Sequence, residues 1–449
     1  MRAFNWLEQL ALIAQFLTRH RAVERFPLLD QATIKAYQFK QIKRQIALAY
    51  HYTPFYHEKY TAAGLHPSDI QTWEDFKRLP TISKDDLIAC ESDLVDRRRQ
   101  TRRLFPSHSS GSSGKFATVY LDRQSFIDQE LQVIRMMKEF YPAYGPFDRE
   151  VLIYTSAIPV RSIGGFYKVY YVHNLLPPAE IFAALQRLRP AIVAVYPSIL
   201  RELAGLYGPA CKQLGIKVLV TNSEHASQEE RNRYAALFGC PIFDEYSSEE
   251  IGSIAYQCMH QHYHLVQDCS YLELLEPDAD REVAPGQQGE LVGTYLINRA
   301  MPIIRYRQGD MAVLSNEPCQ CGKTAPFFAE LSGRKNTSFK RLNAPDIPSG
   351  RILDWSYHLK LKLGLAIHEF QIVQEQFNAV RINLVTSAGY NPGQDNAAVA
   401  RDFRQTFGQD FEVTVELVPT IAKTRSGKHI PIRSLVDGQT SRDLAQSVA

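Results

Sequence analysis

The sequence has few cysteines, little net charge and no long hydrophobic run. Seven cysteines in 449 residues are an odd number, and they argue against the disulfide framework of a small secreted protein. Lysine and arginine exceed aspartate and glutamate by only three, 51 against 48, which gives no support to a nucleic-acid-binding protein. No apolar segment reaches the ~20 residues of a membrane span. We therefore expect a cytoplasmic protein without a membrane span and without nucleic acid as a partner.

The N-terminal segment 4–17 is apolar enough to raise the question of an export signal. Glu8 and Gln9 interrupt it, and its apolar residues recur at helical spacing. We predict an amphipathic helix instead, packed on the protein through one apolar face. That face consists of the residues that share the helical spacing, namely Trp6, Leu7, Leu10, Ile13, Ala14 and Leu17.

The length predicts at least two domains, because single cores stop growing at ~250 to 300 residues. Residues 1–95 have a helical pattern, after which short runs rich in valine and isoleucine alternate with helical segments. Strands that alternate with helices indicate a mostly parallel sheet. The predicted fold class is α/β, with a large multi-sheet N-terminal domain over 1–335 and a small α+β C-terminal domain over 336–449.

A stretch of small residues and glycines ends in a lysine and comprises Ser109, Ser110, Gly111, Ser112, Ser113, Gly114 and Lys115. Such a loop can approach a polyphosphate closely, and Lys115 can neutralise its charge. It is not a Walker loop, because only two residues separate its glycines and Phe116 follows the lysine. Taken alone, the stretch is equally compatible with a flexible surface loop.

Four further motifs follow in order, at 246–252, 298–310, 333–334 and 426–428. With the loop, they resemble the motifs of the acyl-adenylate-forming superfamily, and specifically its phenylacetate-CoA ligase and CapK-like branch. The resemblance covers nearly the whole chain. It implies activation of a carboxylic acid with ATP and Mg²⁺, acyl transfer to CoA, and a mobile C-terminal lid. Transfer to an acyl carrier protein or an amine is the closest alternative, and a non-catalytic nucleotide-binding relative is the second.

The motif that begins at Tyr246 has an aromatic ring that can stack on adenine, and its Glu250 can hold Mg²⁺. The family pattern is Tyr-Gly-x-Thr-Glu, whereas this chain has Ser247 in place of glycine and Glu249 in place of the hydroxyl residue. Two explanations stay open. Either Glu249 is a solvated neighbour, or Ser248 supplies the hydroxyl for the α-phosphate.

Three charged residues complete the expected nucleotide site. The Asp310 carboxylate can accept hydrogen bonds from both ribose hydroxyls, and the resemblance implies this role. It also implies that Arg334 is its companion at the same sugar. Lys428 is a compact cation in a glycine-bearing loop, suited to the charge that develops when a carboxylate attacks the α-phosphate. The resemblance adds that the C-terminal domain rotates away after adenylation.

The cysteines provide a separate signal. Cys319 and Cys321 form a Cys-x-Cys turn, and Cys258 precedes three alternating histidines at 260, 262 and 264. Three thiols and one imidazole match a structural zinc site. The resemblance favours His264 over His262, because the family places its histidine just before an apolar residue and an acid. Reduced thiols without a metal are the alternative.

The pocket for the acid is expected near 194–198 and 222–224, at the carboxyl ends of core strands. Tyr167, Tyr170 and Tyr171 are candidates for its aromatic walls, although tyrosines at this spacing also occur as packing residues. The expected partners are a small carboxylic acid and either CoA or an acyl carrier protein, with a homodimer as a further option. The expected cofactors are ATP, Mg²⁺, CoA and structural Zn²⁺.

Overall fold

The computed structural model describes residues 2–108, 117–154, 157–224, 226–277, 279–334, 338–341, 346–347, 352, 355–356, 359, 363–422 and 430–436, with the backbone alone at 108, 332–334 and 368. The fold is mixed α/β, as predicted, and the chain divides into two compact units. The first comprises the residues up to Ser223 together with Asn232–Gln308 and Ala312–Glu330. The second comprises Glu224–Arg231, Gly309–Met311 and the residues from Leu331 onward. The predicted boundary at 335/336 stays a prediction.

The first unit begins with a helical region, in agreement with the sequence pattern. Its helices are α1 Trp6–Arg25, α2 Gln31–Tyr52, α3 Pro54–Ala62, α4 Trp73–Lys77, α5 Lys84–Ala89 and α6 Glu91–Leu94. Helix α5 begins after a capping box, in which the Ser83 side chain accepts the Asp86 N–H and the Asp86 carboxylate accepts the Ser83 N–H. In the described part of the chain, no helix combines the length and apolar character needed to cross a membrane.

Helix α1 is confirmed, but the predicted packing face is wrong. Four of the six predicted contact residues are largely exposed, at 53–70% of their surface: Trp6, Leu7, Leu10 and Leu17. The helix instead packs through Leu12 and through polar contacts. Gln15 hydrogen-bonds Gln124 at 2.6 Å, and Arg19 pairs with Asp128 at 2.6 Å. Hydrophobic periodicity could not identify this face, because polar side chains on a distant helix supply its partners.

The large sheet follows a two-stranded hairpin and has helices inserted between its first strands. The hairpin is β1 Phe105–His108 and β2 Thr118–Leu121; the helices are α7 Arg123–Phe140, α8 Pro178–Leu188, α9 Pro197–Tyr207 and α10 Gln228–Phe238. The sheet contains β3 Arg149–Tyr154, β4 Lys168–His173, β5 Ile192–Val195, β6 Val218–Asn222, β7 Ile242–Ser248, β8 Gly252–Gln257, β9 Tyr263–Leu265, β10 Ser270–Leu275, β11 Gly289–Tyr295, β12 Tyr306–Ser315 and β13 Phe327–Arg334.

The strand order is β10-β11-β12-β13-β9-β8-β7-β6-β5-β3-β4. Strands β4, β3, β5, β6 and β7 are parallel, as their alternation with helices predicted. The order reverses at β3, since β4 lies on one side of it and β5, β6 and β7 follow on the other. Ligands of open α/β sheets bind at the carboxyl ends of strands near such a reversal.

Alternate residues of these strands build the core on one face of the sheet. Val151 and Ile153 of β3, with Val193 and Val195 of β5, pack in one apolar cluster with residues of α8 and α9. Because side chains alternate between the faces of a strand, the residues between these valines and isoleucines lie on the opposite face. There Phe140 of α7 stacks on Phe243 of β7 with ring centroids 4.4 Å apart.

The second unit contains a four-stranded sheet in the order β16-β15-β14-β17. Its elements are β14 Ile367–Gln376, β15 Ala379–Thr386, α11 Pro392–Phe407, β16 Glu412–Leu417 and β17 Ile432–Ser434. Val399, Phe403 and Phe407 of the helix are buried in one cluster with Ile372 and Ile382 of the sheet. The mixed α/β composition agrees with the prediction for the C-terminal part.

Candidate active site

The motif at 246–252 lies at the end of β7 and in the turn to β8. The Tyr246 ring packs edge-on against Phe328, with centroids 5.9 Å apart and an angle of 81°, and it remains partly exposed. Glu250 is 5% exposed, and the Tyr306 hydroxyl donates to its Oε1 at 3.4 Å. The strand and turn thus place an aromatic ring and a buried carboxylate four residues apart, as a nucleotide and metal site requires.

Ser248 and Glu249 have defined partners in this turn. The Ser248 hydroxyl accepts the Ile251 N–H at 3.2 Å and so stabilises the turn. The Ser107 hydroxyl, near the end of β1, donates to the Glu249 carboxylate. Glu249 is therefore more than a solvated neighbour, since it links the turn to the strand that leads into the predicted phosphate loop.

Several predicted site residues lie outside the described residues. They are the seven residues of the phosphate loop, Ser109, Ser110, Gly111, Ser112, Ser113, Gly114 and Lys115, together with Lys428 and the side chain of Arg334. The strands that flank the loop are described and pair antiparallel, with His108 opposite Thr118. The predicted loop thus connects the two strands of a hairpin.

Asp310 lies in β12 and is 8% exposed. The preceding Gly309 has φ +80°, a conformation that L side chains rarely adopt, so glycine is needed there. A turn residue alone would explain Gly309 but not the burial of a carboxylate. A buried carboxylate requires hydrogen-bond donors.

The carboxyl ends of the parallel strands bring four residues into one row. The strand register pairs Asn222 with Glu245, the Asn222 amide donates to the Tyr154 hydroxyl at 2.6 Å, and Tyr196 directly follows β5. The rings of Tyr154 and Tyr196 have centroids 5.2 Å apart. Sequence reasoning placed Tyr196 and Asn222 near the acid pocket but missed Glu245. The available signal was a charged residue directly before Tyr246, close after an apolar run.

The tyrosines proposed as pocket walls pack elsewhere. Tyr167 is 8% exposed and contacts the rings of Phe16 and Tyr144, with centroids 5.5 and 5.3 Å away. Tyr170 packs against the apolar cluster beneath α8 and α9. Tyr167 and Tyr170 therefore act as packing residues, which is the alternative that the sequence left open. The aromatic side chains at the carboxyl edge are Tyr154 and Tyr196.

The predicted metal ligands form one cluster. One donor atom from each of Cys258, His264, Cys319 and Cys321 lies within 4.8 Å of all the others. The Cys258 and Cys319 sulfurs are 3.8 Å apart, and His264 Nε2 lies 3.3 Å from the Cys321 sulfur. His264 Nδ1 lies 2.8 Å from the Ala325 carbonyl oxygen, which holds Nε2 toward the sulfurs. Three sulfurs and one imidazole nitrogen, oriented by an outer hydrogen bond, fit tetrahedral Zn²⁺.

The electrostatics of this cluster favour the thiolate form at Cys258 and Cys319 but the thiol form at Cys321. Burial raises the pKa of the Cys319 thiol, but hydrogen bonds from the Cys321 backbone and from His262 and His264 outweigh it and lower that pKa to about 5. Thiolates, not thiols, are metal ligands. His262 contacts the Cys319 sulfur through Nδ1 at 3.3 Å and stacks on Phe327, so it lies at the edge of the cluster.

Comparisons with known proteins agree with this architecture. A family model described as the CapK C-terminal domain matches residues 357–434. The chain is 26% identical over 332 residues to phenylacetate-coenzyme A ligase of Thermus thermophilus, covering 68% of this chain and 71% of that protein. It is 27% identical over 299 residues to the phenylacetate-coenzyme A ligase of Escherichia coli, covering 63% and 67%.

Solved structures extend the fold match to nearly the whole chain. A 2-hydroxyisobutyryl-CoA ligase in the postadenylation state, in complex with an acyl-AMP, has a TM-score of 0.75 at 21% identity and covers 94% of both chains. The same ligase with an acyl-AMP and CoA, in the thioesterification state, has a TM-score of 0.62 at 22% identity, again covering 94% of both chains. These relatives and the matching fold support an acyl-adenylate-forming, phenylacetate-CoA ligase-like protein.

Proposed function

We propose that this protein uses ATP to convert a carboxylic acid into an acyl-adenylate and then transfers the acyl group to CoA. The observation that carries the proposal is the set of four curated phenylacetate-coenzyme A ligases, which match over 63–68% of the chain. The fold of a CoA ligase whose structures contain an acyl-adenylate and CoA supports it. The protein is accordingly an adenylate-forming ligase.

Two half-reactions make up this chemistry. In the first, a carboxylate oxygen attacks the α-phosphorus of ATP. The bond between the α-phosphorus and the oxygen that bridges it to the β-phosphate breaks, and pyrophosphate leaves. In the second, the CoA thiolate attacks the acyl carbonyl carbon, the bond from that carbon to the phosphate oxygen breaks, and AMP leaves. The thiol proton passes to solvent. Enzymes lower such barriers by positioning the reactants and stabilising the developing charge.

The nucleotide is assigned to residues with suited chemistry. Tyr246 offers a partly exposed ring to adenine, and the Asp310 carboxylate is assigned to the ribose hydroxyls with Arg334. The buried Glu250 would hold Mg²⁺, which neutralises phosphate charge when bound. The loop that ends at Lys115 is assigned to the polyphosphate, and its position between the paired strands β1 and β2 supports this.

Zinc is proposed as a structural cofactor. The donor set of Cys258, His264, Cys319 and Cys321, their mutual distances and the His264 contact to Ala325 support it. The residues come from β8, β9 and the turn before β13, so a metal there would stabilise the junction of these segments. The substrate site does not require its chemistry.

The finer assignments belong to the same proposal. CoA is preferred to a carrier protein or an amine as the acceptor because the relatives are named as CoA ligases. A cytoplasmic location and a homodimer remain proposals, the latter tested by light scattering. A non-catalytic nucleotide-binding relative is the second candidate. The replacement of the family hydroxyl residue by Glu249 favours it, because a carboxylate near the phosphates opposes their charge.

Acid-dependent exchange of pyrophosphate into ATP separates the two candidates. The proposed ligase catalyses this exchange with at least one acid and without CoA. A binding protein shows no exchange with any acid, although it retains affinity for ATP.

A further inference from the structure

We infer that the acid activated by this protein carries a hydrogen-bond-donating group, amino or hydroxyl, remote from its carboxylate, and that Asn222 and Glu245 bind that group. The inference rests on the proposed function, because it assigns one end of the substrate of that reaction.

The position in the fold is the first support. Asn222 ends β6, and Glu245 pairs beside it on β7, at the carboxyl edge of the parallel strands. Tyr154 ends β3, the strand at which the order of the sheet reverses. Substrates of open α/β sheets bind in the crevice outside this edge. The row from Tyr154 to Glu245 therefore lies where an acid is expected to bind.

An incompletely bonded amide is the second support. Asn222 is 8% exposed, and its Nδ2 donates to the Tyr154 hydroxyl at 2.6 Å. The same amide also hydrogen-bonds the Glu245 carboxylate. Because a carboxylate accepts hydrogen bonds, the amide nitrogen of Asn222 must be the atom that faces Glu245. The orientation of the amide is thus fixed, and Asn222 Oδ1 has no partner among the described residues. A buried unpaired acceptor costs free energy that a donor on a ligand would recover.

A second buried amide at this edge repeats the pattern. Asn174 follows β4, and its backbone N–H donates to the Tyr154 carbonyl at 3.1 Å. It is 2% exposed, yet within the described structure neither its Oδ1 nor its Nδ2 has a hydrogen-bond partner. Two under-bonded amides beside the end of β3 indicate that a polar ligand completes their hydrogen bonds.

Solvent access is the third support. Glu245, Tyr154 and Ser253 belong to β7, β3 and β8, which are interior strands of an 11-stranded sheet. Their side chains nevertheless remain partly exposed. The Ser253 hydroxyl donates to Glu245 Oε1 at 2.8 Å, which holds the carboxylate in place while leaving its other oxygen for a ligand or for Asn222. An interior carboxylate with access to solvent indicates a crevice.

The charge around Glu245 favours a donor over an acceptor. Glu150 lies on the same face of β3 as Tyr154, and Glu130 lies on α7. Burial, with Glu130 and Glu245 adding to it, raises the pKa of Glu150 to about 8, and burial raises that of Glu130 to about 7. The charged groups that shift the pKa of Glu150 and Glu245 are all carboxylates, with Asp244 acting on Glu245. Because the raised pKa values favour the protonated forms of Glu150 and Glu130 near neutral pH, the charge to be offset is that of Glu245 itself, which a protonated amine offsets best and a hydroxyl less.

The inference is tested with acids matched in shape. The aliphatic set is 6-aminohexanoate, 6-hydroxyhexanoate and heptanoate, and the aromatic set is 4-(aminomethyl)phenylacetate, 4-(hydroxymethyl)phenylacetate and 4-ethylphenylacetate, whose amine is protonated near neutral pH. Pyrophosphate exchange gives kcat/KM for each acid with the full chain. In the set that fits the pocket, the better donor-bearing acid should exceed its methyl partner by at least about tenfold. Whether the amino-substituted or the hydroxy-substituted acid has the higher kcat/KM then identifies the donor.

Variants assign the preference to this site. Glu245→Leu should abolish or invert the preference for donor-bearing over methyl acids. Glu245→Gln, which keeps the shape of the side chain, should lower kcat/KM for the amino-substituted acid more than for the hydroxy-substituted acid. The control Glu180→Gln, at an exposed position of α8, should keep the parent ranking. If Glu245→Leu does not fold, Glu245→Gln alone decides.

The failures are distinguishable. No exchange with any acid would overturn the proposed function, and the inference with it. Equal exchange with donor and methyl acids would overturn the inference and leave the proposed function intact. A donor preference that survives both Glu245 variants would show that other residues bind the group.

Discussion

Arg305 and Glu273 form a buried bidentate ion pair, with Arg305 Nε and a terminal nitrogen each 3.0 Å from a different carboxylate oxygen. Both side chains are 1% exposed. The same guanidinium also donates to the Lys77 and Leu79 carbonyls. The pair therefore joins the helical N-terminal region to strand β10, and Arg305, although inside the motif 298–310, has a structural role.

Removing Glu273 should destabilise the first unit strongly. Glu273→Ala leaves the Arg305 guanidinium buried without its counter-charge, a loss worth about 3 to 5 kcal/mol. Urea unfolding measures the free energy, with the exposed Glu180→Ala as the control. A loss below about 1 kcal/mol would show that the pair contributes little.

Replacing Glu150 with glutamine should change how stability depends on pH. Burial raises its pKa in the folded chain to about 8, from an ordinary value of 4.5. Between these values the folded protein keeps a proton that the unfolded chain has released, so stability falls as pH rises through that window. Glu150→Gln removes the effect.

The parent and this variant should therefore diverge with pH. The free energy of unfolding of Glu150→Gln relative to the parent should rise by roughly 2 to 5 kcal/mol between pH 5 and pH 8.5. Chemical unfolding at both pH values measures this difference, with Glu180→Gln as the control. Parallel pH profiles for parent and variant would contradict the raised pKa.

Metal analysis tests the zinc proposal and the choice of histidine. The purified protein should contain about one zinc per chain, and His264→Ala and Cys319→Ser should lose it together with stability. His262→Ala should retain the metal, because its ring is assigned to the edge of the cluster, and so should the exposed His260→Ala. A folded parent without zinc, or loss of zinc in His262→Ala alone, would refute the assignment.

Lys428→Ala should separate the two half-reactions. The lysine is assigned to charge stabilisation during adenylation, so acyl-AMP formation should fall by the ~10² to 10³ expected for one lost transition-state donor. With preformed acyl-AMP and CoA, the variant should transfer the acyl group at close to the parent rate. Stopped-flow and quench measurements report both steps. An unchanged rate of acyl-AMP formation would show that Lys428 has no role in adenylation.

Much of the fold was predictable because its signals are local. Valine- and isoleucine-rich runs that alternate with helical segments predicted the parallel strands. The packing face of α1 was not predictable. It depends on Gln124 and Asp128, more than a hundred residues away, and periodicity contains no information about such partners.

In the candidate site, too, some residues could be predicted from the sequence and others could not. The grouping of the four proposed metal ligands was predictable because few types of side chain bind soft metals. Cysteine and histidine residues concentrated in two segments of the sequence were therefore enough to predict it. Glu245 was missed, because its importance depends on strand register, which places it beside Asn222 at the carboxyl edge of the parallel strands. The role of Glu249 also depends on a distant partner, Ser107.

A single-turnover experiment tests the central claim most directly. The protein is mixed with ATP, Mg²⁺ and an acid that supports pyrophosphate exchange, without CoA, and the products are followed by mass spectrometry. The account predicts one enzyme-bound acyl-AMP per active site with release of pyrophosphate, and then its conversion into acyl-CoA and AMP when CoA is added. Formation of acyl-CoA with release of ADP and phosphate, or persistence of the acyl-AMP in the presence of CoA, would contradict it.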